Sequence, residues 1–190
     1  GEDQTLTGAV RIGAPDGFAT FYLSPRIGEF CRRHPALEIQ VVPMLRPLSL
    51  SRREVDMVVA LSAPDAGRLV ARKLTDYTLR LYATETYFAE RGRPERREDL
   101  RRHRGIGYIQ DMIFMAEIDY LAELGADLKP RFTSSSLIAQ LGAAVAGVGL
   151  SILPDFLAAR FPELQPVLGD SFSIRRSFWL VLHQDTRDLA

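Results

Sequence analysis

Three consecutive serines open the segment of this chain whose residue types are best suited to holding a ligand: Ser134, Ser135 and Ser136. They precede an apolar stretch, residues 137–146, that has the composition of a helix. The first turn of a helix carries backbone N–H groups without partners inside the helix, and serine hydroxyls beside them complete a seat for a small anion or polar ligand. The alternative is that one serine simply caps the helix. The sequence leaves both interpretations open.

A second candidate site follows the first strand of the chain. Residues 10–13 have a strand pattern, and Pro15, Asp16, Gly17 and Phe18 follow directly after it. Open α/β sheets bind ligands at the carboxyl ends of their strands, so this turn lies at the edge of the sheet where a ligand would bind. It is equally possible that Asp16 caps the first helix and that Gly17 only permits the turn.

The sequence gives no pattern for catalysis, metal binding or a cofactor. Gly147-Val148-Gly149 lies between a helix and a strand, whereas a dinucleotide loop needs the strand first. The three histidines are far apart without metal-ligand spacing, and acidic pairs such as Glu98-Asp99 lie in charged surroundings. We therefore expect a small-molecule binder that is not an enzyme and that has no metal and no cofactor.

Composition limits the classes of protein further. With 190 residues, 46% of them hydrophobic, the chain can bury a core as one domain or as two lobes. Its 24 basic and 24 acidic residues cancel, which argues against nucleic-acid binding by this segment alone. A single Cys31 fits a reducing compartment, and the sequence shows neither a membrane span nor a signal peptide.

The hydrophobic pattern predicts strands that alternate with helices, and hence a largely parallel α/β sheet. The predicted strands are residues 10–13, 37–43, 55–61, 69–74, 78–83, 106–109, 150–153 and 177–183. Helices are predicted from Leu23 to His34, from Met115 to a C-cap at Gly125, after the serines, and over residues 156–161. The first of these helices starts either at Ser24 or nearer Asp16.

In order and spacing, these segments resemble the effector-binding domain of LysR-type transcriptional regulators. Residues 55–59 match the family's D-L-A-I strand, and residues 69–74 match its L-V-A-R-x-L segment. Ser135-Ser136-Leu137 and residues 146–154 match the N-S-L … A-G-x-G-I-A-L-L-P signature, which is the most specific part. The remaining matches are residues 10–13, 23–30 and 34–39.

The resemblance implies the two-lobed α/β fold of type II periplasmic-binding proteins, with two Rossmann-like lobes joined by two crossing strands. Lobe I would comprise residues 1–80 plus 182–190, and lobe II residues 81–181, with crossings near residues 81–83 and 180–182. The family's effector lies in the cleft between the lobes. Carried over by position, its contacts would be Pro15, Asp16, Gly17, Phe18, Leu61, Ser62, Ile109, Gln110, Ser134, Ser135 and Ser136.

The resemblance also implies partners and a location. They are a small-molecule effector, a homodimer formed through this domain, a tetramer at full length, and DNA bound only through an N-terminal winged helix-turn-helix that is absent before Gly1. The protein would be cytoplasmic and would not associate with membranes. A periplasmic solute-binding protein is the alternative. Helix N-termini facing the site favour a carboxylate, whereas Asp16 facing it would favour an effector with an amino or hydroxyl group.

The chain departs from the family pattern in two further places. The stretch from Pro43 to Val55 is shorter than usual, so we expect the second helix of lobe I to be trimmed or lost. We also expect the final helix, after Asp188, to be cut short at Ala190.

Overall fold

The computed structural model describes residues 6–46, 50, 53–64, 69–125 and 128–184. Its strands are β1 (Gly8–Pro15), β2 (Leu37–Met44), β3 (Met57–Ala60), β4 (Leu69–Thr84), β5 (Arg104–Gly107), β6 (Lys129–Thr133), β7 (Leu150–Pro154), β8 (Leu164–Val167) and β9 (Ile174–His183). Its α-helices are α1 (Asp16–Phe18), α2 (Ser24–Arg33), α3 (Glu85–Arg91), α4 (Tyr120–Leu124), α5 (Leu137–Val145) and α6 (Asp155–Ala158).

The chain forms two compact units. Unit 1 consists of Gly1–Thr75 with Ser177–Ala190, and unit 2 consists of Asp76–Arg176. The chain passes from one unit to the other within β4 and again within β9, which are the strands that contain the predicted crossings.

In unit 1, β1 is the central parallel strand. It pairs with β2 along its whole length and with β3 at Ile12 and Gly13, while β9 runs antiparallel to β3. Phe18 of α1 is buried and packs against Phe178 of β9, with 4.7 Å between ring centroids. This contact holds the turn that follows β1 against the hydrophobic core of unit 1.

The first helical run begins at Asp16, as one of the two sequence interpretations had it. A five-residue π-helical segment, Ala19–Leu23, joins α1 to α2. Ser24 is therefore inside the run and does not cap it, and its hydroxyl donates to the carbonyl oxygen of Ala19 at 2.7 Å.

In unit 2, β5 lies between β6 and β7 in parallel pairing, and β4 runs antiparallel to both β7 and β8. Every residue of β7 is buried, as expected for a strand covered on both faces. The largest fully buried side chains of this unit include Leu79, Leu81, Leu100, Ile106, Leu124, Leu150, Ile152, Leu153 and Leu157. The predicted parallel sheet is thus present around β1 and β5, whereas β4, β8 and β9 add antiparallel pairs.

Several predicted elements differ from the structure. The two strands predicted at residues 69–74 and 78–83 are one continuous strand, β4. The helix predicted over residues 115–124 is a 3-10 turn, Ala116–Ile118, followed by the short helix α4, although Gly125 does end it in the left-handed conformation at φ 60°. Strand β8 was not predicted, and α6 is shorter than expected.

Two predictions fall partly or wholly outside the described residues. In the described part of the Pro43–Val55 stretch there is no helix, while residues 47–49 and 51–52 lie outside it. The predicted truncation of the final helix concerns residues 185–190, which are also outside it.

A hydrogen-bonded histidine links α3 to the start of β5. The hydroxyl of Tyr87 accepts the N–H of Arg104 at 3.0 Å and lies 3.0 Å from Nδ1 of His103. Because the hydroxyl already accepts one hydrogen bond, it can donate its own proton to an unprotonated Nδ1. Burial, the largest influence, lowers the pKa of His103 from its usual 6.5, while nearby Asp99 acts in the opposite direction.

We therefore expect acid to destabilise the protein through His103. Since the pKa in the folded state is below that in the unfolded state, the unfolded chain binds the proton first as pH falls through 6.5. The free energy of unfolding should decrease from there down to the folded-state pKa. Urea unfolding between neutral and mildly acidic pH should show this decrease, and His103→Gln should reduce it. An identical pH dependence in the two proteins would contradict the assignment.

Candidate functional site

The serine segment forms a tightly bonded turn between β6 and α5. Ser136 is the N-cap of α5, and its hydroxyl accepts the N–H of Ala139 at 3.2 Å. The hydroxyl of Ser134 accepts the N–H of Ser136 at 3.1 Å, and the N–H of Ser134 donates to the carbonyl oxygen of Gly107 at 3.0 Å. The capping interpretation is therefore correct for Ser136, and Ser134 holds the turn onto the end of β5.

Ser135 differs from its two neighbours. Like them it is half-buried, but within the described part of the chain its hydroxyl has no hydrogen-bond partner. Its hydroxyl can therefore both donate to and accept from a ligand, whereas the Ser134 hydroxyl, which accepts the N–H of Ser136, keeps its O–H as a donor.

Gln140, which sequence reasoning missed, supports this turn from within α5. Its side chain is 1% exposed, and its Nε2 donates to the carbonyl oxygen of Ser134 at 3.0 Å. A buried amide of this kind must be hydrogen-bonded to offset its desolvation, so it fixes the position of the turn. The available sequence signal was a glutamine on the otherwise apolar face of the predicted helix.

The turn of unit 1 is more buried than a freely accessible loop. Pro15 is the N-cap of α1, and Asp16, 8% exposed, accepts the N–H of Gly17 through Oδ1 at 2.9 Å. A carboxylate in the first turn of a helix is favoured by the partial positive charge there. Phe18 is a core residue, so its side chain serves packing first.

The other candidate residues follow strands β3 and β5. Leu61 is half-buried and Ser62 exposed, just beyond the end of β3. Ile109 is half-buried, and the exposed Gln110 opens a 3-10 turn after β5, with its Nε2 donating to Oδ2 of Asp119 at 3.4 Å. In each unit, the candidates therefore occupy the carboxyl ends of two parallel strands, β1 and β3 in unit 1 and β5 and β6 in unit 2.

The candidate loops carry little charge. Asp16 is the only ionisable side chain among the eleven candidate residues, and the turn at Ser134–Ser136 offers hydroxyls and backbone N–H groups. Across the residues that the structure describes, no group of three or more His, Cys, Asp or Glu side chains is arranged to hold a metal ion. What the loops offer a ligand is hydrogen bonding.

No helix within the described ranges is long and apolar enough to cross a membrane.

A comparison with known protein families identifies the family of this chain. The model of the LysR substrate binding domain matches residues 3–190, and the chain belongs to this family. The predicted fold, the α/β architecture of type II periplasmic-binding proteins, is confirmed by this match and by the structural neighbours.

Related sequences are transcriptional regulators. An uncharacterized HTH-type transcriptional regulator of Haemophilus influenzae is 26% identical over 161 residues, which are 82% of this chain and 55% of the relative. The HTH-type transcriptional regulator CrgA of Neisseria meningitidis is 27% identical over 155 residues, which are 79% of this chain and 50% of CrgA. The chain thus spans about half the length of these relatives.

Solved structures share the fold. The CrgA regulatory domain from Neisseria meningitidis superposes with a TM-score of 0.82 at 24% identity, covering 96% of this chain and 92% of that domain. Full-length AphB, the Vibrio cholerae virulence activator, gives a TM-score of 0.75 at 21% identity, covering 96% of this chain and 64% of AphB.

Proposed function

We propose that this chain is the metabolite-sensing part of a LysR-type regulator whose DNA-binding head lies outside it. The family match over residues 3–190 supports this, as do relatives about twice as long that are named HTH-type regulators. The observation that carries a binding role is the turn at Ser134–Ser136, with the unpartnered hydroxyl of Ser135 in the described structure. We infer a binding role without catalysis, because the relatives are named as regulators.

The proposed effector is a small carboxylate or another small polar molecule. Backbone N–H groups at the start of α5 and the Ser135 hydroxyl are donors, which suit an anionic oxygen. If the carboxylate of Asp16 faces the ligand, it repels a carboxylate on the effector. In that case an amino or hydroxyl group on the effector would donate a hydrogen bond to Asp16. Pro15, not Asp16, is the N-cap of α1, but Oδ1 of Asp16 accepts the N–H of Gly17 within the same turn, so simple organic acids remain in the proposal.

The proposed site keeps all eleven predicted residues. Their common placement at the carboxyl ends of parallel strands supports it, since ligands bind α/β sheets at that edge. Phe18 would contribute mainly by packing the first turn in place.

The proposed assembly is a homodimer through this domain and a tetramer at full length. Helix α2 supports a partner surface, because none of its residues is buried although Ile27, Phe30 and Cys31 recur on one side at helical spacing. Regulators of transcription act at DNA, so we place the protein in the cytoplasm. The alternative, a periplasmic solute-binding protein, is not favoured by the named relatives.

Effector and operator DNA should bind the full-length protein with mutual dependence. A ligand changes DNA binding only through its different affinity for the two arrangements of the oligomer, a coupling of about 1–3 kcal/mol, or roughly 5- to 150-fold in affinity. Isothermal titration of effectors from a thermal-shift screen, with and without operator, measures this coupling. Equal affinities in the two titrations would refute the proposed function.

A further inference from the structure

A small, mostly apolar pocket lies inside unit 2. Ile106 of β5 and Ile152 of β7 line it from the sheet, Ile113 and Ile118 from the segment that connects β5 to α4, and Leu121 from α4. The lining also includes four polar or aromatic residues of this region: Tyr108, Gln110, Asp119 and Tyr120. A pocket of this kind suits one small apolar group of a ligand rather than a whole ligand.

The pocket adjoins the serine turn through two shared residues. Gly107 and Gln140 both line it, and both hydrogen-bond to Ser134, through the Gly107 carbonyl oxygen and the Gln140 amide. A Cβ at position 107 would lie 2.6 Å from Cδ1 of Leu121, so glycine lets this side chain pack directly against β5. Leu121 can therefore close the wall of the pocket directly beside the residues that hold the turn.

The pocket is narrow, with room for about one water-sized group, which is also the size of a methyl group. The segment that covers it is held by a side-chain hydrogen bond from Gln110 to Asp119 at 3.4 Å and by turn hydrogen bonds such as the N–H of Met112 to the carbonyl oxygen of Ile109 at 3.0 Å. The ring of Tyr108 meets that of Tyr120 edge-on, with 5.9 Å between centroids. An aromatic ring would have to displace this covering segment, whereas a short alkyl group would not.

We propose that this pocket receives a methyl- or ethyl-sized group of the effector while the serine turn holds its carboxylate. The inference rests on the proposed function and narrows the effector to short-chain aliphatic acids. Each buried methylene should improve affinity about fourfold until the pocket is filled, and larger groups should then bind more weakly. Acids with a ring should bind worst.

The test uses the 190-residue chain with 13C-labelled isoleucine δ1 methyl groups. Acetate, propionate, butyrate, isovalerate and benzoate are titrated at millimolar concentrations, with their primary amides as a second arm. We expect propionate, whose alkyl group is ethyl, to bind best and to shift the methyl signals of Ile113 and Ile152 but not that of Ile39 in unit 1. In Ile113→Ala the preference should move to isovalerate, and the conservative Ile118→Val should move it less.

Ile39→Ala is the control, since it removes the same atoms from β2 of unit 1 and should leave the ranking unchanged. Acids that bind without ranking by alkyl size, with no shift at the pocket methyls, would refute the pocket while leaving the proposed function intact. If the affinities of the amides rank by alkyl size while the acids do not bind, the pocket is supported and carboxylate binding by the serine turn is refuted. Failure of both arms would refute the pocket and carboxylate binding by the serine turn, whereas the proposed function is tested separately by the titrations with and without operator.

Discussion

Replacing Gly149 by alanine is expected to lower the free energy of unfolding by about 3 kcal/mol or more. A Cβ at this position would lie 2.4 Å from the carbonyl oxygen of Arg104 and 3.0 Å from its carbonyl carbon. These are backbone atoms at the start of β5, and the neighbouring pair Gly105 and Leu150 joins β5 to β7 in the sheet. Neither strand can move away without breaking that pairing. Because the close atoms belong to the backbone, a side-chain rotation cannot relieve the clash.

Gly142→Ala is the matched control in the same motif. No atom lies within 4 Å of a Cβ built on Gly142, which is inside α5. Alanine is favoured over glycine within a helix by about 1 kcal/mol, so this variant should be slightly more stable than the parent. Urea unfolding followed by far-UV circular dichroism measures both variants. Equal changes for Gly149→Ala and Gly142→Ala would show that close approach to Arg104 is not the reason for glycine at position 149.

The signature around these glycines was predictable from sequence because its determinants are local. Ser136 caps a helix that starts one residue later, and Gly147 ends it with φ 75°. The strand that follows, β7, is apolar apart from Ser151, and Pro154 ends it. Capping, chain reversal and a buried apolar run each need only the residues present in a short window.

The segment between β5 and α4 was predicted wrongly because its structure depends on distant contacts. Residues 115–124 have helical spacing, but Asp119 has φ −80° and ψ 63° and accepts the N–H of Ala122, so the helix restarts there. Arg176 of β9 also donates to the carbonyl oxygen of Glu117 at 3.5 Å and pairs with the carboxylate of Glu123. A contact 59 residues away cannot be seen in a local pattern.

The candidate site divides in the same way. The serine turn could be predicted from residue types. Gln140 stood out only as a polar residue on an apolar helix face, and its role depends on burial and on its hydrogen bond to Ser134, which the sequence does not show. The single strand β4 was split in the prediction because Thr75 and Asp76 interrupt its apolar pattern, and both are exposed. The extended backbone continues through residues whose side chains face water, and a hydrophobicity pattern does not record this.

Leu153→Ala should destabilise unit 2 by about 2–5 kcal/mol, which lowers the melting temperature by roughly 2–4 °C for each kcal/mol in a chain of this size. Leu153 is 0% exposed in β7, which pairs with β4 on one side and β5 on the other. Because β7 is paired on both sides, the residues around Leu153 cannot move fully into the space that alanine would leave. Leu74→Ala, at a side chain that is 44% exposed, removes the same atoms and should change stability by less than about 0.5 kcal/mol. Calorimetric melting of both variants distinguishes them, and comparable losses would contradict the placement of Leu153 in the core.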